Sequence, residues 1–315
     1  MAERFLYHWV PYKLVRKDND WAVSWLDLGN GLMDEPFFDE TTRRCRIQMK
    51  NRSKFDSQSD IWMIHELAEQ LEYVAPTAFI FHVSRCGSTL LSQCLATQKE
   101  NIVVAEAPIL DEVLRMDEQY ETVSTDKENL FRATVKILGQ KRIKQQQLFI
   151  KLDSWHIHFY ESLRKWYPDT PFYFLTREPK AVIQSHRKRR GIHAIPGMVH
   201  ERWLNLAVSQ NHFENFDLFT ADVLQGFYAR LSMIYRENHA GDYFFDYSEG
   251  PEALFQDFID RLSIKVTSAH EIRERMKFHG KYPDQPFKEE LTDWLDFPYT
   301  ECLNTYVNFI NLQNV

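Results

Sequence analysis

The stretch TAFIFHVSRCGSTLLSQCLATQ, residues 77–98, begins as an unbroken apolar run, passes through Ser84, Arg85, Cys86, Gly87, Ser88 and Thr89, and continues with helical spacing. The apolar run reads as a buried strand and the segment from Ser88 as a helix. Small residues at a strand–helix joint let backbone N–H groups converge without side chains in the way. The helix macrodipole adds about half a positive charge there. Ser88 and Thr89 offer hydroxyl donors, and Arg85 a guanidinium fork. The joint reads as an anion cradle. The plainer alternative is a tight turn whose small residues only permit close packing.

The same alternation continues downstream. NIVVAEAP, QLFIKLD, PFYFLTREP and DYFFDYS read as strands. ENLFRATVKILGQKRI, YESLRKWYP, PKAVIQSHRKR and a segment from about Pro251 to Arg261 read as helices. Strands and helices that alternate with short joints predict an α/β fold, a parallel β-sheet flanked by helices on both faces, with ligands at the carboxyl ends of the strands. Upstream, WAVSWLDLG and the turn residues after it predict short antiparallel strands. DETTRRCRIQMKNR and SDIWMIHELAEQLEYV predict helices, the second capped by Ser59 or Asp60. The expected organisation is therefore a small N-terminal β/α extension, residues 1–75, packed on a main domain of residues 76–315.

Bulk composition narrows the function. The chain has 315 residues, 44% hydrophobic and 14% aromatic, enough for a substantial core. A net charge of -7 argues against a general nucleic-acid binder. Cys45, Cys86, Cys94 and Cys302 form no C-x-x-C pair and are expected as free thiols in a reducing compartment. The N-terminus has no secretory apolar region, and no run reaches eighteen apolar residues, so the expected location is the cytoplasm, with no membrane partner.

The loop departs from the nucleoside-triphosphate pattern G-x-x-x-x-G-K-[ST], because His82 occupies the first glycine place and Ser88 the lysine place. Lacking that lysine, the loop suits a less charged cargo than a γ-phosphate, such as a sulfuryl group. S-R-C-G-S-T-L-L resembles the P-[RK]-[ST]-G-[ST]-[ST]-L-L loop of sulfotransferases that use 3'-phosphoadenosine 5'-phosphosulfate (PAPS). YFLTREPKAVIQSH resembles that family's strand–turn–helix segment, in which an Arg and a Ser eight residues later hold the 3'-phosphate. Arg177 and Ser185 have this spacing, and Arg177 lies about ninety residues beyond Gly87. The resemblance spans about residues 77–285. It implies a P-loop NTPase-like fold of sulfotransferase type and PAPS as donor, with adenosine 3',5'-bisphosphate as product. The donor would be held by Arg85, Cys86, Gly87, Ser88, Thr89, Leu90, Arg177 and Ser185.

Transfer to a hydroxyl or amine needs a group that takes the acceptor proton. Glu106 ends NIVVAE and resembles the glutamate base of protein-tyrosine and carbohydrate sulfotransferases; the plainer alternative is a solvated joint residue. Lys151 ends LFIK, where an ammonium could neutralise charge on the bridging oxygen, and it resembles the family's catalytic lysine. The next residues depart from the cytosolic K-x-H pattern, with Asp153 at the histidine place. The base is thus Glu106 or Asp153, with His156 third and Glu106 favoured. Direct in-line transfer without an essential metal is expected. His156 and His158 lack further ligands at metal spacing. HRKRRG, residues 186–191, reads as a local basic patch for the nucleotide or a solvated helix end. MKFHGKYPDQPFK loosely resembles the family's late Gly/Lys segment, and Tyr247 matches a late tyrosine that supports the fold. The acceptor is an unidentified small molecule or carbohydrate. The rival functions are a P-loop kinase of a small metabolite and a nucleotide-binding module without chemistry.

Overall fold

The computed structural model describes residues 6–17, 20–116, 126–286, 294 and 296–313. Strands β1 (Trp9–Lys17) and β2 (Asp20–Asp27) pair antiparallel, β2 falling on the stretch WAVSWLDLG read as strand, and β3 (Gln58–Asp60) adds a third strand to β2. The β1–β2 register shifts between Pro11 and Lys13, where proline has no N–H to give to a ladder. Helix α1 (Phe38–Arg52) carries Asp39 and Glu40 in its first turn and Lys50 and Arg52 in its last, matching the helix dipole. Helix α2 (Trp62–Gln70) starts later than its sequence suggests. Its N-cap is Ile61, with no side-chain cap. Ser59 and Asp60 belong to β3 instead, and the Ser59 hydroxyl accepts from the Trp25 indole at 2.8 Å, so it is committed to the sheet.

The main sheet contains β4 (Pro76–His82), β5 (Asn101–Ala105), β6 (Gln147–Lys151), β7 (Phe172–Thr176) and β8 (Asp242–Asp246), in the order β5-β6-β4-β7-β8. β5 runs parallel to β6, and β7 to β8. Every residue of β5, β6 and β7 is buried, which is why these strands read as continuous apolar runs rather than alternating ones. The intervening helices are α3 (Ser88–Ala96), α4 (Pro108–Arg115), α5 (Lys127–Leu138), α6 (Tyr160–Trp166) and α7 (Pro179–Lys188). Proline opens α4 and α7, where its missing N–H costs nothing. Asp126 caps α5 by accepting from the Glu128 and Asn129 amides. The later chain is largely helical, including Phe216–Glu237, Gly250–Leu262 and Thr300–Gln313.

The chain divides into two compact units. The first comprises the residues up to Phe79, Ser92–Leu152 and Val266–Pro283; the second comprises Ile80–Leu91, Asp153–Lys265 and the residues from Asp284. All four cysteines are buried and free; burial pushes the Cys94 and Cys302 thiols up to about 12. Among the described residues no helix is long and apolar enough to cross a membrane.

In the first unit, Glu112 of α4 accepts the Leu14 amide of β1. Burial raises its carboxyl from an ordinary value near 4.5 to about 7, opposed by that hydrogen bond and by Lys13. A carboxyl raised on folding binds its proton more tightly in the folded chain. Its contribution is full below about pH 4.5 and declines as pH rises to about 7. Glu112→Gln is therefore expected to flatten the fall in Tm between these pH values, measured by thermal unfolding across a buffer series; an unchanged slope would remove Glu112 as its source.

Candidate active site

The loop that follows β4 lies in the second unit. Its backbone is unusual: Ser84 has φ 77°, Arg85 φ 53° and Gly87 φ 79°. For a non-glycine residue the left-handed region costs on the order of 1 kcal/mol, so Ser84 and Arg85 must be held there by their surroundings. Backbone that alternates between right- and left-handed conformations makes concave rows of N–H groups that suit anions. The Val83 amide bonds the Leu175 carbonyl of β7 at 3.1 Å just before the loop begins. Ser88 opens α3 beyond it. Cys86, Ser88 and Leu90 are buried, while Arg85, Gly87 and Thr89 are partly exposed.

Arg177, the first residue after β7, reaches this loop, its Nη1 donating to the Arg85 carbonyl at 2.9 Å. Its guanidinium carbon stands 5.2 Å from the centre of the Tyr247 ring, within cation–π range. The Arg177 carbonyl in turn accepts from the hydroxyl of fully buried Tyr228 at 2.7 Å. Arg85 donates to the Arg189 carbonyl beyond α7. Ser185 is half-buried on α7. The sequence-derived donor residues therefore include two, Arg85 and Arg177, that the structure joins directly.

A second centre lies in the first unit. Lys151 ends β6 with a side chain that is 0% exposed, and its ammonium pairs with the Glu106 carboxylate, which is 22% exposed. The Glu106 amide also donates to the Lys151 carbonyl at 2.8 Å. Glu106, just past β5, has φ 55°, another left-handed non-glycine residue, and such strain tends to gather at functional sites. The Lys151 ammonium lies 5.0 Å from the Phe37 ring centre, and Lys281 places its own ammonium 5.2 Å from the same ring. Asp39, in the first turn of α1, has its carboxyl raised by burial and then by the charge of Glu106. A buried ammonium, a partly exposed carboxylate and a nearby second carboxyl supply charge neutralisation and proton acceptance in one place.

Asp153, two residues beyond Lys151, belongs to the second unit and precedes the turn Ser154–Phe159. Its amide donates to His156 Nδ1 at 3.2 Å. Buried His156 is thus occupied in shaping this turn.

No protein-family model matches the chain, and no curated protein matches its sequence. A solved sulfotransferase domain from the curacin biosynthetic pathway is similar in structure, with a TM-score of 0.51 at 14% identity, covering 76% of this chain and 99% of that one. The fold is that of a sulfotransferase. A sulfotransferase from Alicyclobacillus acidocaldarius has a TM-score of 0.41 at 12% identity over 76% of this chain and 96% of its own. One from Mycobacterium tuberculosis has 0.45 at 11% identity over 68% and 73%.

Several features of this sulfotransferase-fold chain carry no signal in sequence. A Cβ added at Gly87 would fall 2.2 Å from Cε2 of Tyr247, so the Tyr247 ring packs directly against the loop. His82, a departure from the triphosphate pattern, accepts the Ser84 amide on Nδ1 at 3.1 Å. Phe37 and Asp39 come from the N-terminal 75 residues, whose sequence resembles no named motif. Only side-chain contacts between distant segments reveal these roles.

Proposed function

We propose that the protein is a PAPS-dependent sulfotransferase that moves a sulfuryl group to a hydroxyl or amine of a small-molecule or carbohydrate acceptor. The observation that supports this best is the loop at Ser84–Thr89, with three left-handed residues at a strand end, in a chain with the sulfotransferase fold. Its donors are chemically suited to the phosphosulfate: a guanidinium at Arg85, hydroxyls at Ser88 and Thr89, and the N-terminus of α3. Arg177 and Ser185 would hold the 3'-phosphate, Arg177 steadied from behind by Tyr228.

In the proposed reaction the S–O bond to the donor phosphate breaks as the acceptor oxygen or nitrogen bonds to sulfur, with no enzyme-bound intermediate. Glu106 takes the acceptor proton, and Lys151 neutralises charge on the departing phosphate oxygen. Glu106 is preferred to Asp153 as base because its carboxylate meets the Lys151 ammonium directly and its backbone is held in a strained conformation.

The test is release of adenosine 3',5'-bisphosphate from PAPS in the presence of a panel of phenols, sugars and amines. Acceptor-dependent release supports the reaction. Magnesium-dependent turnover of ATP with none of PAPS would instead establish a kinase, and tight nucleotide binding with no transfer to any acceptor a module without chemistry.

A further inference from the structure

His186 was part of a basic run in sequence, yet its side chain is 0% exposed and makes contacts at both ring nitrogens. The Gly191 amide donates to Nδ1 at 3.2 Å. An N–H cannot donate to a protonated nitrogen, so Nδ1 carries the lone pair and the proton of the neutral ring sits on Nε2. Nε2 lies 3.2 Å from Ser84 Oγ, and the tautomer makes it the donor. Ser84 is thereby gripped twice, its hydroxyl by His186 and its amide by His82 Nδ1, which also meets the Ser154 hydroxyl at 3.2 Å. Ser84 is the first left-handed residue of the loop, and Arg85 is the second. The segment that sets the His186 tautomer also carries the Arg189 carbonyl that accepts from Arg85. Both strained residues are thus tied to the turn at 189–191, one through an imidazole and one through a guanidinium.

We propose that His186 is a positioning residue: held as the Nε2–H tautomer by the Gly191 amide, it fixes Ser84 and so sets the loop conformation on which donor affinity depends. This rests on the donor-binding role proposed for the loop. In this role His186 acts through Ser84. A group of this kind should influence nucleotide binding more than the transfer step.

The experiment measures adenosine 3',5'-bisphosphate affinity by calorimetry in the wild type, Ser84→Ala, His186→Ala and His186→Gln, alongside amide and imidazole nitrogen NMR spectra of each ligand-free protein. Ser84→Ala removes the accepting hydroxyl with almost no change in volume, so it reports even where His186→Ala fails to fold. The glutamine variant can return an N–H near the place of Nε2. The expected result is a wild-type His186 signal of the Nε2–H form, about a tenfold loss of affinity in Ser84→Ala and His186→Ala, and recovery of most of it in His186→Gln. Unchanged affinity in both weakened variants, or an Nδ1–H signal, overturns the proposal. If the wild type does not bind the nucleotide at all, the donor assignment fails. The positioning role is then judged on the Arg85–Ser88 amide signals alone: it stands if they shift in Ser84→Ala and return in His186→Gln, and it falls if they do not move.

Discussion

Lys151→Met is expected to lower the turnover of PAPS about 10²–10³-fold while changing adenosine 3',5'-bisphosphate affinity only slightly. Methionine keeps most of the buried volume, so packing around Phe37 survives. What disappears is the ammonium, which is 0% exposed and paired with Glu106. An electrostatic group buried this deeply acts where water cannot screen it, so its removal has far more effect than loss of a surface lysine. The measurement is initial rates under saturating PAPS, with thermal unfolding of the variant as a control on folding. Glu106→Gln is the companion variant, with a loss of about 10²–10⁴-fold expected for removal of a general base. Wild-type turnover in Lys151→Met would remove the lysine from the chemistry. A loss confined to nucleotide affinity would reassign it to donor binding.

Gly87→Ala is expected to abolish detectable nucleotide binding and to lower stability by several kcal/mol, about 1–3 kcal/mol from the backbone and a similar amount from overpacking. Two independent constraints converge here. The glycine has φ 79°, and the added methyl would meet Tyr247 Cε2 at 2.2 Å and Cδ2 at 2.6 Å. Tyr247 has no easy retreat, since its ring is nearly buried and also faces Arg177. Moving the ring to admit the methyl disturbs the residue assigned to the 3'-phosphate. Gly87→Ala combined with Tyr247→Ala should relieve the clash but not the backbone strain, so stability should recover only in part. Calorimetry and thermal unfolding of the three proteins measure both effects. Intact binding in Gly87→Ala would show that the loop is far softer than its contacts imply.

Strand positions were legible because burial on both faces makes a strand continuously apolar, as in FYFLT at 172–176 and NIVVA at 101–105. β3 escaped notice: its three residues, Gln58, Ser59 and Asp60, are polar, and only pairing with β2 makes them a strand. The same pairing removed Ser59 from the start of α2. At the candidate site, residue types at strand ends pointed to Glu106, Lys151 and Arg177 because parallel sheets gather ligands there. Backbone conformation was not legible. Nothing in the letters Ser84, Arg85 or Glu106 announces a positive φ, since the surroundings enforce it. Long-range pairs such as Ser84 with His186, or Lys151 with Phe37, likewise arise from tertiary packing and have no local signature.

The most direct test is a calorimetric titration of the full chain with adenosine 3',5'-bisphosphate, 5'-ADP and ATP under identical salt. Selective binding of the 3'-phosphorylated nucleotide, weakened at least tenfold by Arg177→Ala, is the predicted result. Preference for ATP, or equal binding of all three with no effect of Arg177→Ala, would contradict it.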